Sequence, residues 1–339
     1  MSGRTPLSGL LSAAILAALT IVGRADEKTS HGSPPTAPVA RVLRWFPPDT
    51  EAFAVANGPI ELKRSLNDVE QELSLVEAGT IFACSRVSLL QEGTLFKNLR
   101  GLKVDAIVDG RRRFQVTVDQ GTGHCDGCQI LLAAEGEGPK LTRAFQAWIA
   151  AGRSTIQVED QTAVLVEEKV DGDEIFRALF AHPLPEVLIC ASTPSHLREV
   201  LSRMRDETKP SAFPSDRIEW KMANCQAPFW GVRRFDPQGR EKDMTSPFNK
   251  RAPIADSKAI GFTFAFGAGN PKAMEVIYLS NSRNAASLLA AECFDKDEFR
   301  INRIAESAFR IQMVKDDEQR ERFEHLLEVL TITGFLRAI

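Results

Sequence analysis

The sequence contains little tyrosine, and this scarcity constrains the kind of surface the protein exposes. Tyr278 is the one tyrosine, against 20 phenylalanines and 4 tryptophans. Surfaces that bind carbohydrate or protein usually rely on Tyr and Trp, which have an apolar ring and a polar edge. Most aromatic side chains are therefore expected in the core, and the tryptophans are the candidates for an exposed aromatic platform.

An excess of positive charge is also missing. The chain has 42 Lys and Arg against 45 Asp and Glu, with a pI near 6.1. Arg111, Arg112 and Arg113 form the one basic triplet, which is typical of a charged strand in a hairpin. Without a basic stripe, the sequence predicts no nucleic-acid partner.

Long apolar runs and catalytic signatures are absent from the sequence beyond the N-terminus. No later segment approaches the 18 consecutive apolar residues of a transmembrane helix. The G-x-S-x-G, H-E-x-x-H and phosphate-loop patterns do not occur. The sequence therefore predicts no transmembrane segment after signal removal, no catalytic residue and no cofactor; a hydrolase site assembled from distant residues is an alternative.

The first 25 residues have the pattern of an export signal. Arg4 precedes a mostly apolar run from Leu7 to Val22, and Gly23-Arg24-Ala25 supplies small residues at the two positions read by signal peptidase. We expect an exported protein, periplasmic or extracellular; an uncleaved membrane anchor is the alternative. The mature chain from Asp26 carries 40 basic and 45 acidic residues, a net charge of −5.

The remaining chain divides into a tether and two segments of similar order. Residues 26–41 are polar and proline-rich, which predicts a disordered tether. Residues 42–184 and 185–339 each begin with a strand followed by hairpins and helices. The predicted fold is α+β, with two related halves, each an antiparallel sheet of hairpins with helices packed on one face.

An A-x-x-P-x-x-L pattern suggests an internal duplication. It occurs as Ala56/Pro59/Leu62 and as Ala191/Pro194/Leu197, where proline would begin a helix after a strand; chance similarity is the alternative. Within the halves, Asp109-Gly110 predicts a hairpin turn, residues 174–180 a helix and residues 217–223 a strand.

The sharpest local cluster is His124-Cys125-Asp126-Gly127-Cys128. Its C-x-x-C spacing and Asp-Gly pair predict a hairpin turn bridged by a disulfide between Cys125 and Cys128. Alternatives are free or differently paired thiols, a metal bound by His124, Cys125 and Cys128, and redox chemistry. A redox site usually begins a helix, whereas a strand follows this cluster.

A long polar segment, Asp236 to Ser257, follows a strand predicted near residues 229–235. Long loops often carry partner-facing surface. With Trp220, Trp230, Arg233 and Arg234 near its base, it forms the predicted partner surface.

The segments Phe229-Trp230-Gly231-Val232-Arg233-Arg234-Phe235-Asp236, Thr245-Ser246-Pro247-Phe248 and Ala259-Ile260-Gly261-Phe262 resemble uncharacterised exported bacterial protein families. Phe46-Pro47-Pro48-Asp49-Thr50 is similar to their mature start. The resemblance implies no known activity.

These observations favour an exported, non-catalytic binding or envelope-associated structural protein whose partner is an unknown protein or envelope component. A metal- or thiol-redox-linked protein using His124, Cys125 and Cys128 is the first alternative, and a hydrolase without a recognisable motif is the second. The sequence defines neither the ligand nor the oligomeric state.

Overall fold

A computed structural model describes residues 32–61, 99, 101–117, 122–170, 174–235, 258–266, 274–287 and 299–313. The described strands are β1 (Ala52–Glu61), β2 (Lys103–Thr117), β3 (Thr122–Ala133), β4 (Thr155–Val158), β5 (Gln161–Val170), β6 (Glu174–Leu184), β7 (Val187–Ala191), β8 (Phe229–Arg234), β9 (Ala259–Phe266), β10 (Met274–Ser280), β11 (Phe299–Ala305) and β12 (Ala308–Met313). The helices described from end to end are α1 (Ala37–Leu43), α2 (Gly138–Ala150), α3 (Pro194–Arg205) and α4 (Ile218–Met222).

These twelve strands form one antiparallel sheet in the order β11-β12-β10-β9-β8-β1-β2-β3-β7-β6-β5-β4. The prediction of two halves with a sheet each is therefore wrong. Strand β7, from the predicted second half, lies between β3 and β6 of the first half, and β1 pairs with β8 across the predicted boundary. Strand pairing joins segments that are distant in the chain, which local sequence patterns do not record.

Both faces of the sheet are covered, so the prediction of helices on one face is also wrong. Face 1, the side of Ile107 and Leu131, packs against α2 through Leu141 and Trp148. Face 2 is the side of Val108, Ile130 and Ile189. It packs against α1, α3 and the segment that includes α4. Burial on two sides explains why all five residues of β7 are buried.

Several local predictions fail for a shared reason. Asp109-Gly110 lies inside β2 and makes no turn, residues 174–180 belong to strand β6, and the segment 217–223 contains helix α4. Pro59 lies within β1 rather than at a helix start, so the two A-x-x-P-x-x-L segments differ in structure. In the three segments that lie in strands, pairing with neighbouring strands decides the conformation over local propensity.

Other local predictions are confirmed. Helix α3 begins with Pro194, and the Thr193 hydroxyl accepts a hydrogen bond from the His196 amide at 3.2 Å, which caps the helix. Strand β8, and strand β7 directly before the Pro194 junction, also lie where the sequence predicts them. Helix α1 overlaps the end of the segment predicted as a tether, residues 26–41, and buries Val39, Val42 and Leu43 against face 2.

Candidate binding groove

One end of the sheet gathers five chain segments around an open groove. Strand β2 begins there and β3 ends there, the β6–β7 turn reaches the same end, and the first turns of α1 and α2 lie beside it. Because α1 packs on face 2 and α2 on face 1, the groove crosses the end of the sheet between the two layers of helices.

The groove has a volume of about 620 Å³, within the range of about 300–1,000 Å³ common among ligand sites. Its apolar walls are made of proline and small or aliphatic side chains, and no aromatic ring is among the described residues that line it. These apolar residues are Ala37, Pro38, Leu132, Ala133, Ala134, Pro139 and Pro185.

The walls are fixed by backbone contacts. The Ala133 amide donates to the Glu186 carbonyl at 2.7 Å, and the Ala134 amide donates to the Lys103 carbonyl at 2.9 Å. Gly138 begins α2 so close to the β6–β7 turn that a Cβ there would lie 3.1 Å from the Pro185 carbonyl oxygen. A groove held in this way is already shaped before a ligand arrives, which lowers the entropy cost of binding.

Charged side chains stand around these walls, and carboxylates outnumber basic groups. Asp105, Glu135 and Glu186 contribute negative charge, and Arg41 contributes the positive charge. Arg41 Nη2 lies 3.3 Å from Glu186 Oε1, so these two charges offset each other. Among the described residues, neither Asp105 nor Glu135 has an ion-pair partner. The lining therefore carries an uncompensated negative charge.

The first turn of α2 adds few hydrogen-bond donors to the groove. Pro139 has no amide hydrogen, and the amides of Lys140 and Leu141 both donate to the Glu137 carbonyl, at 3.0 and 3.2 Å. Helix N-termini bind anions through free amides. Here Pro139 has no amide hydrogen and the amides of Lys140 and Leu141 are occupied, so the first turn offers the groove few donors for an anion.

The predicted Cys cluster lies in a different part of the sheet. Residues 124–128 form part of the continuous strand β3 and make no turn. Three residues of extended strand separate two Cα atoms by about 10 Å, whereas a disulfide needs less than about 7 Å. Cys128 is buried, and the extended strand disfavours the predicted Cys125–Cys128 disulfide, which stays a prediction. The side chains of His124 and Cys125 lie outside the described residues.

The structure places Trp220, Trp230 and Arg234 of the predicted partner surface on face 2 and Arg233 on face 1. Trp230 is fully buried on face 2, and the half-buried Trp220 packs beside it with ring centroids 6.2 Å apart. Arg233 and Arg234 alternate along β8 and so point to opposite faces. Arg233 lies over the Phe235 ring, and Arg234 lies 3.5 Å from Glu219. The segment 236–257 lies outside the described residues.

Sequence reasoning missed a buried ion pair on face 1. Arg111 Nε donates to Asp109 Oδ2 at 2.9 Å, and Nη2 lies 2.8 Å from the same oxygen; the two side chains are 0% and 1% exposed. The basic triplet had indicated a charged, solvent-facing hairpin strand. An Asp and an Arg two residues apart in a strand do face the same side, and that spacing was the available signal.

Two histidines have structural partners. His182 Nδ1 lies 2.8 Å from the Val187 carbonyl oxygen, and Nε2 lies 2.9 Å from Thr142 Oγ1, which ties the β6–β7 hairpin to α2. His196 is fully buried in α3. Among the described residues, no three His, Cys, Asp or Glu side chains are grouped closely enough to hold a metal ion.

Comparison of the chain with protein-family models, with curated proteins and with solved structures finds no match. Within the described part of the chain, no helix has the length and apolar character that crossing a bilayer would require. Any functional assignment therefore depends on the chain's own sequence and geometry.

Proposed function

We propose that this is an exported, non-catalytic binding protein that holds a component of the cell envelope in the groove at the end of its sheet. Export rests on the N-terminal pattern of Arg4, the apolar run and the small residues at Gly23 and Ala25. Binding rests on the groove, whose walls come from five chain segments. The groove carries the proposal, because it combines a rigid apolar floor with charged groups at its rim.

The arrangement of groups in the groove favours binding over catalysis. A catalytic centre usually sets a nucleophile or a general base beside a group that orients it. The described lining instead contains carboxylates, one guanidinium, and alanine, proline, glycine and leucine. Such a lining can hold a ligand through apolar contact and charge, which is what a binding protein requires.

Photo-cross-linking from the groove tests the proposal. A photoreactive amino acid replacing Ala134, which is half-buried in the groove lining, is expected to form a covalent adduct with the partner in intact cells. The matched control carries the same amino acid at Gln157, an exposed residue of edge strand β4 that does not line the groove. Adducts that form equally from both positions, or from neither, would contradict a partner site in the groove.

Export is tested separately by the intact mass of the protein recovered from outside the cytoplasm. We expect the mass of a chain that begins at Asp26. A protein found only in the cytoplasm with its first 25 residues attached would overturn the exported assignment, whatever the groove binds.

A further inference from the structure

From the chemistry of the groove we infer the class of its occupant, an extended basic peptide segment whose lysine or arginine side chains lie across the apolar walls. This inference rests on the proposed function and specifies its partner. The groove joins alanine, proline and leucine surfaces with the carboxylates of Asp105, Glu135 and Glu186. Lysine and arginine match this arrangement, because their long apolar stems pack on hydrocarbon while the charged head reaches a carboxylate.

Anionic occupants fit the groove poorly. The first turn of α2 has the donor-poor geometry described above, and Arg41, the one basic residue in the described lining, is already engaged by Glu186 at 3.3 Å. An anion would have to displace that carboxylate and would then face Asp105 and Glu135. Like-charge contacts of this kind select against a partner.

Carbohydrate and aromatic occupants lack their usual platform. Sugar rings and proline-rich ligands bind on exposed aromatic rings. The Arg41 guanidinium lies 5.3 Å from the ring centroid of Trp45, but that side chain is 3% exposed and offers no open ring face. The walls are aliphatic, so they favour the stems of basic side chains over a stacked ring.

A single metal ion is a poor match for the groove. Its described carboxylates are not grouped as a metal site, and the volume of about 620 Å³ is far larger than one ion fills. An open groove across the end of a sheet suits a chain that continues past both of its ends. These features together select an extended peptide over a small cation.

Binding of a fluorescein-labelled peptide of alternating lysine and alanine tests the inference by fluorescence anisotropy. The double variant D105N/E135Q is expected to weaken its binding at least fivefold, because it removes the two carboxylates without ion-pair partners. R41Q is expected to tighten binding about twofold, because it frees Glu186 for the ligand. Damage to the fold would weaken peptide binding in both variants, whereas a change in groove charge should weaken it in D105N/E135Q and tighten it in R41Q. Circular dichroism checks that each variant is folded.

The matched control is E207Q/E306Q, which removes the same charge from two exposed positions outside the groove. The whole protein is acidic, so a nonspecific attraction would weaken equally in both double variants, and that result would overturn the inference. Equal binding of an alternating glutamate–alanine peptide would overturn it as well. Raising the salt concentration from about 50 to about 500 mM should strongly weaken binding of the lysine peptide.

The two proposals fail in different ways. If Ala134 cross-links to a partner while the lysine peptide shows no preference for the groove, the groove binds something of another charge and only this inference fails. If the cross-linker at Ala134 forms no adduct in cells, the groove is not a partner site there, and the proposed function fails.

Discussion

Gly110 and Arg111 are neighbours on β2, yet they point to opposite faces of the sheet and meet opposite environments. On face 2, the Phe46 ring packs directly against Gly110, where a side chain would collide with it. On face 1, Arg111 is fully buried and bound to Asp109. On face 2, strand β2 therefore has the Phe46 ring packed on its backbone at Gly110. On face 1 it carries the buried ion pair of Arg111 and Asp109.

The contrast shows how a sheet covered on both faces can treat polar groups. Around Gly110, face 2 is filled by packed aromatic rings. The ring centroids of Phe46 and Phe53 are 5.2 Å apart, and those of Phe53 and Trp220 are 5.3 Å apart. Arg112, the arginine of β2 that points to this face, forms ion pairs with Asp49 at 3.1 Å and with Glu199 of α3. Face 1 keeps its arginine inside and must pair it there, because an unpaired buried charge is very costly.

The largest expected effect comes from breaking the pair on face 1. Arg111→Leu leaves the Asp109 carboxylate buried without its partner, and removal of one member of a buried pair costs about 3–5 kcal/mol. The double variant Asp109→Leu, Arg111→Leu removes both charges and should be clearly more stable than the single variant. Urea denaturation of both variants measures the difference. Additive losses would show that the pair is not the source of the effect.

A smaller loss is expected on face 2 from Gly110→Ala. The added methyl group meets the Phe46 ring, and overpacking of this kind costs about 1–3 kcal/mol. Phe46→Leu, which makes room, should partly rescue the variant, so that the double variant loses less than the sum of the two single changes. The same denaturation experiment measures this coupling. A Gly110→Ala protein as stable as wild type would mean that the ring shifts freely away from β2.

The sequence identified many of the elements but not how they assemble. Strand β7 and helix α3 were predicted from the second A-x-x-P-x-x-L segment, in which Pro194 begins a helix after a strand. That signal is local. The insertion of β7 between β3 and β6 is set by long-range pairing, and it left the prediction of two separate sheets wrong.

The groove was beyond sequence reasoning for the same reason. Pro38 and Pro139 each stand in the first turn of a helix, a pattern that marks helix starts. Nothing in the sequence says that those starts meet the β6–β7 turn at one end of the sheet. In contrast, Asp109-Gly110 was misread because a pair typical of turns can occupy a strand when Gly110 is needed for a ring contact.

A moderate loss of stability is expected from removing the N-cap of α3, one of the helices that pack on face 2. Thr193→Ala removes the hydroxyl that accepts from the His196 amide, and loss of such a cap costs about 1 kcal/mol. Thr193→Ser keeps the hydroxyl and should retain most of the stability. Thermal unfolding of the two variants makes the comparison. If alanine and serine behaved alike, the loss would come from the threonine methyl group and not from the cap.

The smallest effect near neutral pH is expected from the Cys225 thiol on face 2. Burial disfavours the thiolate and raises its pKa from 9.0 to about 12. Wild type and Cys225→Ala should therefore show equal numbers of thiols reacting with a disulfide reagent at pH 8 when folded, and a difference of one in urea. A difference of one in the folded state would mean that the thiol is accessible.

The same pKa shift fixes the direction of a pH effect on stability. The thiol is protonated in both states below pH 9.0, so the stabilisation from keeping it neutral in the core is fully present there. As the pH rises from 9.0 toward about 12, the unfolded chain ionises at Cys225 while the folded chain does not, and stability falls. Wild type should lose more stability than Cys225→Ala over that interval in urea titrations. Equal slopes would show that the site ionises without cost, and face 2 would then be wetter at Cys225 than its burial indicates.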